Sequence, residues 1–406
     1  MKRILSALRV LAAKYWLPVA LYGGVLVLFG WLLWWQLGTL THGYSGQEMA
    51  TLLDSTHLKN GIFQHPLNAP FTLLAHGLLY FHHNSLFAVR LTATIFGLLT
   101  LSMFYWLVRY WHGQRAAVFG SILFGTSAWF LHTSRLGTPD VLLFGVLGLT
   151  AFSVWLKHTK RSLPVLLLIF MAAAWLYVPG MIWFIVAGLL WQWRALDRVF
   201  KQHLWMVTLA GLVLLATVAP LGLAIYHDPH LAKELAGLPP LGWPQPLAVL
   251  RHIAEVPLQL IWRGPVLPTR WLGHVPVLDA FTLAMVFLGA YVYAKHAKLV
   301  RTQLLVVIVV IGTVLVGLQG DVSLTILVPF MYLLAAAGIG LLLDRWYTVF
   351  PRNPIAQSVG LGLVSLAVLA ACGLGYRHYF VAWPAAPETT AAFPIPPGAP
   401  SDTIKK

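Results

Sequence analysis

Long apolar segments alternate with short polar ones over most of the chain. Runs of roughly 18 or more apolar residues can cross about 30 Å of hydrocarbon as helices, and a helix satisfies its own backbone polar groups in a bilayer. We therefore predict an all-α polytopic membrane protein, with one transmembrane domain over residues 1–380 and about eleven spans. The predicted spans are 17–39, 87–108, 116–133, 140–156, 162–177, 179–193, 204–226, 277–294, 302–319, 323–343 and 355–376.

Two polar segments between the spans are longer than turns, residues 40–86 and 227–276, and both are predicted to form short helices at the outer interface. In the first, "SGQEMATLLDSTHLKNG" predicts a helix with Ser45 as its N-cap and Glu48 as the partner in a capping box. A capping carboxylate needs no catalytic role, whereas an acid in an outer polar segment is also a candidate for chemistry. The spacing leaves both interpretations of Glu48 open.

A second acid stands at the start of the fourth predicted span, in "HTSRLGTPDVLLFG". Thr138 is predicted as the N-cap, with Pro139 and Asp140 in the first turn, where a helix favours proline and negative charge. Arg135 is near enough in the sequence to pair with Asp140. Either the acid only caps the helix and forms an ion pair at the membrane edge, or it faces a water-filled cavity.

Composition and charge agree with a bilayer protein and set its orientation. The chain is 59% hydrophobic and 10% charged, with a net charge of +15. Basic residues concentrate in cytoplasmic loops, and the span map puts seventeen basic residues but only two acids on one side. We therefore predict a multi-pass cell-membrane protein with a cytoplasmic N-terminus and an extracytoplasmic C-terminus.

The same charge distribution limits the possible partners. The basic residues are spread over short turns rather than gathered in one patch, which argues against nucleic-acid binding, and anionic membrane lipids are the expected counter-charge. Residues 1–16 are predicted to form a basic amphipathic segment on the inner leaflet, and the Pro- and Ala-rich residues 381–406 are predicted to be a disordered extracytoplasmic tail. Cys372 is the only cysteine, so no internal disulfide can form.

The order of these segments resembles that of the GT-C membrane glycosyltransferases, in particular family 39, which includes protein O-mannosyltransferases and bacterial aminoarabinose transferases. The resemblance covers about residues 20–160. The motifs that carry it are "QE" at Gln47 and Glu48, "NAPF" at 68–71, "VRLTA" around Arg90, "YWHGQR" at 110–115 and "SRLGTPD" ending at Asp140.

The resemblance implies a GT-C-like fold and an inverting transfer of a sugar from a polyprenyl-phosphate-linked donor to an extracytoplasmic acceptor, which is a lipid, a glycan or a protein. A carboxylate must accept the proton of the acceptor hydroxyl, and positive groups must stabilise the leaving phosphate. The catalytic candidates are Glu48 and Asp140. The substrate-binding candidates are Arg90, Arg135, Arg263 and Arg270, with Arg251 behind them. We expect a cavity between the first and second outer segments.

Two departures from the family pattern bear on the chemistry. Gln47 stands where the first acid of a pair is usual, and Asn68 stands where a lysine is usual. The first departure also suits a GT-C scaffold that only binds a lipid-linked glycan. A transporter is a third possibility, although the chain has no internal repeat.

Histidines in the first outer segment raise the question of a metal. They have no tight metal-ligand spacing, so we predict no resident cofactor, while a divalent metal remains open. These histidines are His57, His65, His76, His82 and His83.

Overall fold

The computed structural model describes residues 20, 23–41, 43–56, 66–81, 85–158, 163–202, 204–239, 242 and 245–394. Within these ranges the chain is helical and contains no β-strand. The helices are α1 Gly23–Trp34, α2 Gly46–Thr56, α3 Ala69–Phe81, α4 Ser85–Gly125, α5 Ala128–Arg135, α6 Gly145–His158, α7 Leu163–Trp175, α8 Met181–Gln202, α9 Leu204–His227, α10 His230–Leu235, α11 Pro246–Ile261, α12 Ala280–Lys295, α13 Val300–Gly317, α14 Val328–Val349, α15 Pro354–Arg377, α16 Trp383–Ala385 and α17 Pro387–Ala392. Short 3₁₀ turns, Pro139–Phe144 and Leu324–Ile326, precede α6 and α14.

Among the described residues, the predicted spans coincide with helices apart from turns at several span ends and a break at 126–127 within the third span. The second and third spans share the long α4, which is interrupted at Gly113 (φ 86°). The fifth and sixth spans are separate helices, α7 and α8. Among the described residues, six helical segments are long and apolar enough to cross a membrane, and four shorter apolar helices accompany them. The all-α membrane fold is thus confirmed, and the number of eleven crossings stays a prediction.

The centre of the bundle is formed by α12, α14 and α4, which pack closely together. Gly289 on α12 lies against the Leu334 carbonyl, and Gly338 on α14 lies against the Met285 carbonyl; a Cβ at either position would collide with that oxygen. Small residues at a crossing let two helix backbones approach in a membrane, where water supplies no driving force for helix association.

The chain alternates between two ends of this bundle. At one end, which we call the loop end, parts of both long polar segments come together with the turns after α7 and α13. At the opposite end, the His112 ring bonds the Tyr293 hydroxyl at 2.8 Å, and Arg301 donates to the Trp111 carbonyl at 2.9 Å. The predicted outer segments therefore share one end and the basic turns share the other, which we call the basic end.

Residues 381–394, part of the predicted disordered tail, include the short helices α16 and α17, and the disorder of the tail as a whole stays a prediction. The Trp383 side chain is fully buried, and its indole donates to the Pro268 carbonyl at 3.1 Å. Phe393 packs on Trp383 with ring centroids 5.5 Å apart. The side chains of Trp383 and Phe393 thus hold this Pro- and Ala-rich segment against the rest of the protein.

Several predictions concern residues that the structure leaves undescribed. The predicted amphipathic segment 1–16, the rest of the tail at 395–406 and four of the five histidines lie outside the described residues.

Candidate active site

A cavity of about 440 Å³ lies at the loop end, between the two long polar segments, as the sequence predicts. Its walls come from six separate stretches of the chain, and several of them contribute polar side chains. The lining residues are Gln47, Ala50, Thr51, Asp54, Leu67, Asn68, Pro139, Asp140, Leu143, Pro179, Leu267, Thr269, Arg270, Gly320, Asp321, Val322 and Ser323.

An ion pair between Asp140 and Arg270 crosses this cavity. Pro139 fixes the start of the 3₁₀ turn that carries Asp140, and the Arg270 Nη2 also donates to Gln47 Oε1 at 2.7 Å. The two charged side chains are only 14% and 18% exposed, so water screens this pair less than it screens an ordinary surface pair. One guanidinium therefore links the first polar segment, the fourth predicted span and the second polar segment.

Two further acids, Asp54 and Asp321, line the same cavity, and the sequence analysis missed both. Asp54 follows Gln47 by seven residues, which is two helical turns, so both project from one face of α2. Asp321 follows Gly320, whose missing side chain lets this turn lie against the Gly237 carbonyl. Partial shielding from water, together with the Asp140 carboxylate, raises the pKa of Asp321 above its usual value.

Glu48 is placed differently from its neighbour Gln47. Its side chain is fully buried, and it is absent from the residues that line the cavity. Oε1 accepts from Arg90 Nε and from the Gly137 N–H, both at 2.9 Å. Oε2 accepts from the Ser45 N–H and from Arg90 Nη2, both at 3.1 Å. The predicted capping box is present. Donors from the protein itself already occupy both oxygens of the carboxylate.

Arg90 and Arg135 are both buried away from the cavity, and both bind the chain at and just after the end of α1. Arg90 donates to the Leu37 carbonyl at 3.2 Å and to the Thr41 hydroxyl at 2.6 Å, in addition to Glu48. Arg135 donates to the Leu32 carbonyl at 3.1 Å. The expected pairing of Arg135 with Asp140 does not occur, because the carbonyl groups at the end of α1 bind this guanidinium instead.

The remaining predicted arginines lie outside the cavity. Arg263 is exposed, and its Nε donates to the His274 ring at 2.9 Å. Arg251 pairs with Glu255 one turn further along the exposed face of α11, at 3.0 Å. Of the four arginines predicted to bind substrate, the structure therefore brings only Arg270 to the acids of the cavity.

Asn68 has a backbone role that accounts for its type. Its φ of 58° lies in the left-handed region, which asparagine tolerates better than most residues. Its N–H donates to the Tyr177 carbonyl at 2.8 Å, which joins the first polar segment to the turn after α7. The side chain at this position also faces the cavity.

The described residues hold no group of three or more side chains arranged to bind a metal. His76 is the one candidate histidine among them, and its Nδ1 lies 2.8 Å from the Ser55 carbonyl oxygen, which occupies that nitrogen.

A second, mostly apolar cavity of about 340 Å³ adjoins this site. Trp271, the residue after Arg270, forms part of its wall, together with Tyr332 on α14 and Leu374 on α15. The Arg270–Trp271 dipeptide thus contributes one side chain to each cavity.

Comparisons with known proteins agree with this architecture. The family model for dolichyl-phosphate-mannose-protein mannosyltransferase matches residues 64–223, which is less than half of the chain. The crystal structure of ArnT from Cupriavidus metallidurans bound to undecaprenyl phosphate is similar, with a TM-score of 0.56 and 15% identity over 94% of this chain and 77% of that one. The chain thus has the fold of this ArnT, and its residues 64–223 match the mannosyltransferase family model.

The apo structure of the same ArnT is also similar, with a TM-score of 0.51 and 16% identity over 94% of this chain and 77% of that one. No curated protein matches the chain by sequence. The family match includes Asp140 but ends before Arg270 and begins after Gln47. The roles of the cavity residues therefore rest on their geometry.

Proposed function

We propose that this GT-C protein transfers a sugar from a polyprenyl-phosphate-linked donor to a hydroxyl-bearing acceptor at the extracytoplasmic face of the cell membrane. The observation that carries this proposal is the Asp140–Arg270 pair in the cavity at the loop end. It supplies one group that can accept a proton and one that can bind a phosphate, within a single water-accessible space.

Asp140 is the proposed catalytic base. The acceptor oxygen attacks the anomeric carbon of the donor, the bond from that carbon to the phosphate oxygen breaks, and the configuration at carbon inverts. The hydroxyl proton passes to the carboxylate, and the lipid phosphate leaves with the bonding electrons. A positioned general base is typically worth about 10²–10⁴-fold in rate. We propose Asp140 rather than Glu48, because the Glu48 oxygens already accept from four protein donors.

Arg270 is the proposed ligand of the leaving phosphate. A guanidinium presents several N–H donors in a planar fork that matches phosphate oxygens, and the Gln47 amide oxygen supports one of its nitrogens at 2.7 Å. For Arg90 and Arg135 we propose structural rather than substrate-binding roles, since backbone carbonyls and Glu48 occupy their donors. For the exposed Arg263 we propose a role as an anchor to lipid headgroups at the membrane interface.

The lipid donor is supported by the apolar cavity and by one of the similar proteins. ArnT has been solved with undecaprenyl phosphate bound. In this chain, a cavity lined largely by apolar side chains begins at Trp271, directly beside Arg270. An isoprenoid chain suits the apolar cavity, and its phosphate would then lie toward the guanidinium.

The proposed orientation puts the basic end in the cytoplasm and the loop end outside. Arg109 and Arg115 flank the break of α4 at Gly113. Arg194 lies in the second half of α8, Lys295 ends α12, and Arg352 lies between α14 and α15. Basic residues of this kind are retained on the cytoplasmic side. The cavity then opens toward extracytoplasmic acceptors.

A second candidate function is binding without turnover. Gln47 cannot act as a base, and Arg270 is already neutralised by Asp140, so a scaffold that only holds a lipid-linked glycan would have a similar site. The two candidates differ in whether sugar leaves the carrier.

Sugar transfer from radiolabelled polyprenyl-phosphate donors, measured in proteoliposomes, tests the proposal. We expect Asp140→Asn and Arg270→Gln each to lower the rate by about 10²-fold or more. The matched control, Glu255→Gln on the exposed face of α11, should leave the rate unchanged. Full activity in Asp140→Asn would remove its assigned role, whereas a wild-type protein that binds polyprenyl phosphate and transfers no sugar would establish the scaffold.

A further inference from the structure

A small cavity of about 10 Å³ also borders Asp140 and Arg270. Its wall includes His132 and Thr138 from the α5 region and Thr325 from the turn before α14. A space of about 10–15 Å³ is enough for one water molecule, provided that the water finds two to four polar partners. The side chains around this cavity meet that condition.

His132 is the most unusual of these side chains. It is 2% exposed, and neither of its ring nitrogens has a hydrogen-bond partner among the described residues. Its ring stands perpendicular to the rings of Tyr379 and Trp383, with centroids 4.6 and 4.5 Å away. Buried polar groups in native proteins almost always have a partner, and aromatic rings do not supply one to an imidazole nitrogen acting as an acceptor.

The threonines add hydroxyl groups to the same space. Thr138 occupies the N-cap position of its 3₁₀ turn, yet its side chain makes no capping bond. Thr325 accepts from the Trp129 indole N–H at 3.1 Å, which holds its hydroxyl at the cavity wall. Asp140 supplies a carboxylate from the side of the main cavity. The small cavity thus offers hydroxyl groups, an imidazole, a carboxylate and the Arg270 guanidinium to a single polar guest.

We propose that this cavity binds one ordered water molecule that joins His132 to the Asp140 carboxylate, which makes His132 a positioning residue for the base. The water donates one hydrogen to the carboxylate and the other to an imidazole nitrogen. This bond fixes Asp140 when Arg270 turns toward a phosphate and the ion pair weakens. The catalytic part of the inference rests on the proposed function, whereas the water site does not.

A high-resolution electron cryomicroscopy map of the full chain in lipid nanodiscs tests the water site directly. We expect density within hydrogen-bond distance of both His132 and Asp140 in the wild type, and its loss in His132→Phe. A wild-type map without that density, or one in which His132 bonds a protein group instead, would overturn the proposal. This readout holds even if no sugar transfer is found.

Kinetics then separate positioning from simple packing. We expect His132→Phe to lower kcat by roughly ten- to a hundredfold with an unchanged KM for the donor, and His132→Gln to retain most of the activity because an amide can still bond the water. In an Asp140→Asn background, His132→Phe should cost nothing further. The control is Tyr379→Leu, which removes an aromatic contact of the His132 ring at a residue that does not line the small cavity. Equal losses in Tyr379→Leu and His132→Phe would show that aromatic packing, not the water, is responsible.

Discussion

Replacing Glu48 with glutamine distinguishes the two roles that the sequence allows for this residue. The substitution keeps the shape of the side chain but turns one carboxylate oxygen into an NH₂ group. Each carboxylate oxygen accepts hydrogen bonds from two N–H groups. Oε1 accepts from Arg90 and the Gly137 backbone, and Oε2 accepts from Arg90 and the Ser45 backbone. Whichever way the amide turns, its NH₂ faces two donors.

The expected cost follows from burial. Arg90 is 2% exposed and Glu48 is fully buried, with 2.9 Å between Arg90 Nε and Oε1. Breaking a buried pair by removing one charge typically costs about 3–5 kcal/mol, because the other charge stays buried without compensation. We therefore expect Glu48→Gln to lower the Tm by about 5 °C or more.

The assay is thermal unfolding of the purified protein in one detergent at a fixed scan rate, together with sugar transfer at a temperature where both proteins are folded. Asp197→Asn is the matched control, since it removes an acid from an exposed ion pair with Lys201, and its Tm should match that of the wild type. We expect Glu48→Gln to be destabilised while any folded fraction keeps transferring sugar. An unchanged Tm with abolished transfer would refute this reasoning and return Glu48 to the role of base.

Three further substitutions test other parts of the structure. Gly43→Ala would drive its Cβ into the Pro394 carbonyl, so we expect a stability loss of about 1–3 kcal/mol and faster proteolysis of the C-terminal segment. Neither effect should appear if the C-terminal segment does not pack against Gly43. Because the pKa of Asp321 is raised, its contribution to stability is present at low pH and is lost as the pH rises through that value; Asp321→Asn should therefore raise the Tm at pH 7 but not near pH 4. Gln47→Glu adds a competing carboxylate beside Arg270, so we expect slower sugar transfer, and faster transfer would identify position 47 as the site of the base.

The sequence predicts the local features of the site well. The capping box of Ser45 and Glu48, the Pro139–Asp140 turn and the cavity between two polar segments all follow from short-range patterns. Each depends on residues close in the chain or on a span map that hydropathy determines.

What the sequence could not decide is which of two neighbours faces the cavity. Consecutive helical residues point about 100° apart, so turning α2 by one position exchanges Gln47 and Glu48. The orientation is set by Arg90, which is 42 residues away from Glu48. Arg135 illustrates the same limit, since its carbonyl partners lie about 100 residues upstream, at the end of α1.

The Asp140–Arg270 pair suggests how donor binding and base activation are coupled. While Arg270 donates to the Asp140 carboxylate, the oxygen that accepts this bond is less available to an acceptor hydroxyl. A lipid phosphate that enters the cavity competes for the same Arg270 donors, and each bond that Arg270 gives to phosphate is one that Asp140 loses. The carboxylate oxygen is then free to accept from the acceptor hydroxyl when the donor is bound. On this argument, glutamine suits position 47 because its neutral amide oxygen supports Arg270 without a second negative charge that would keep the guanidinium from the phosphate.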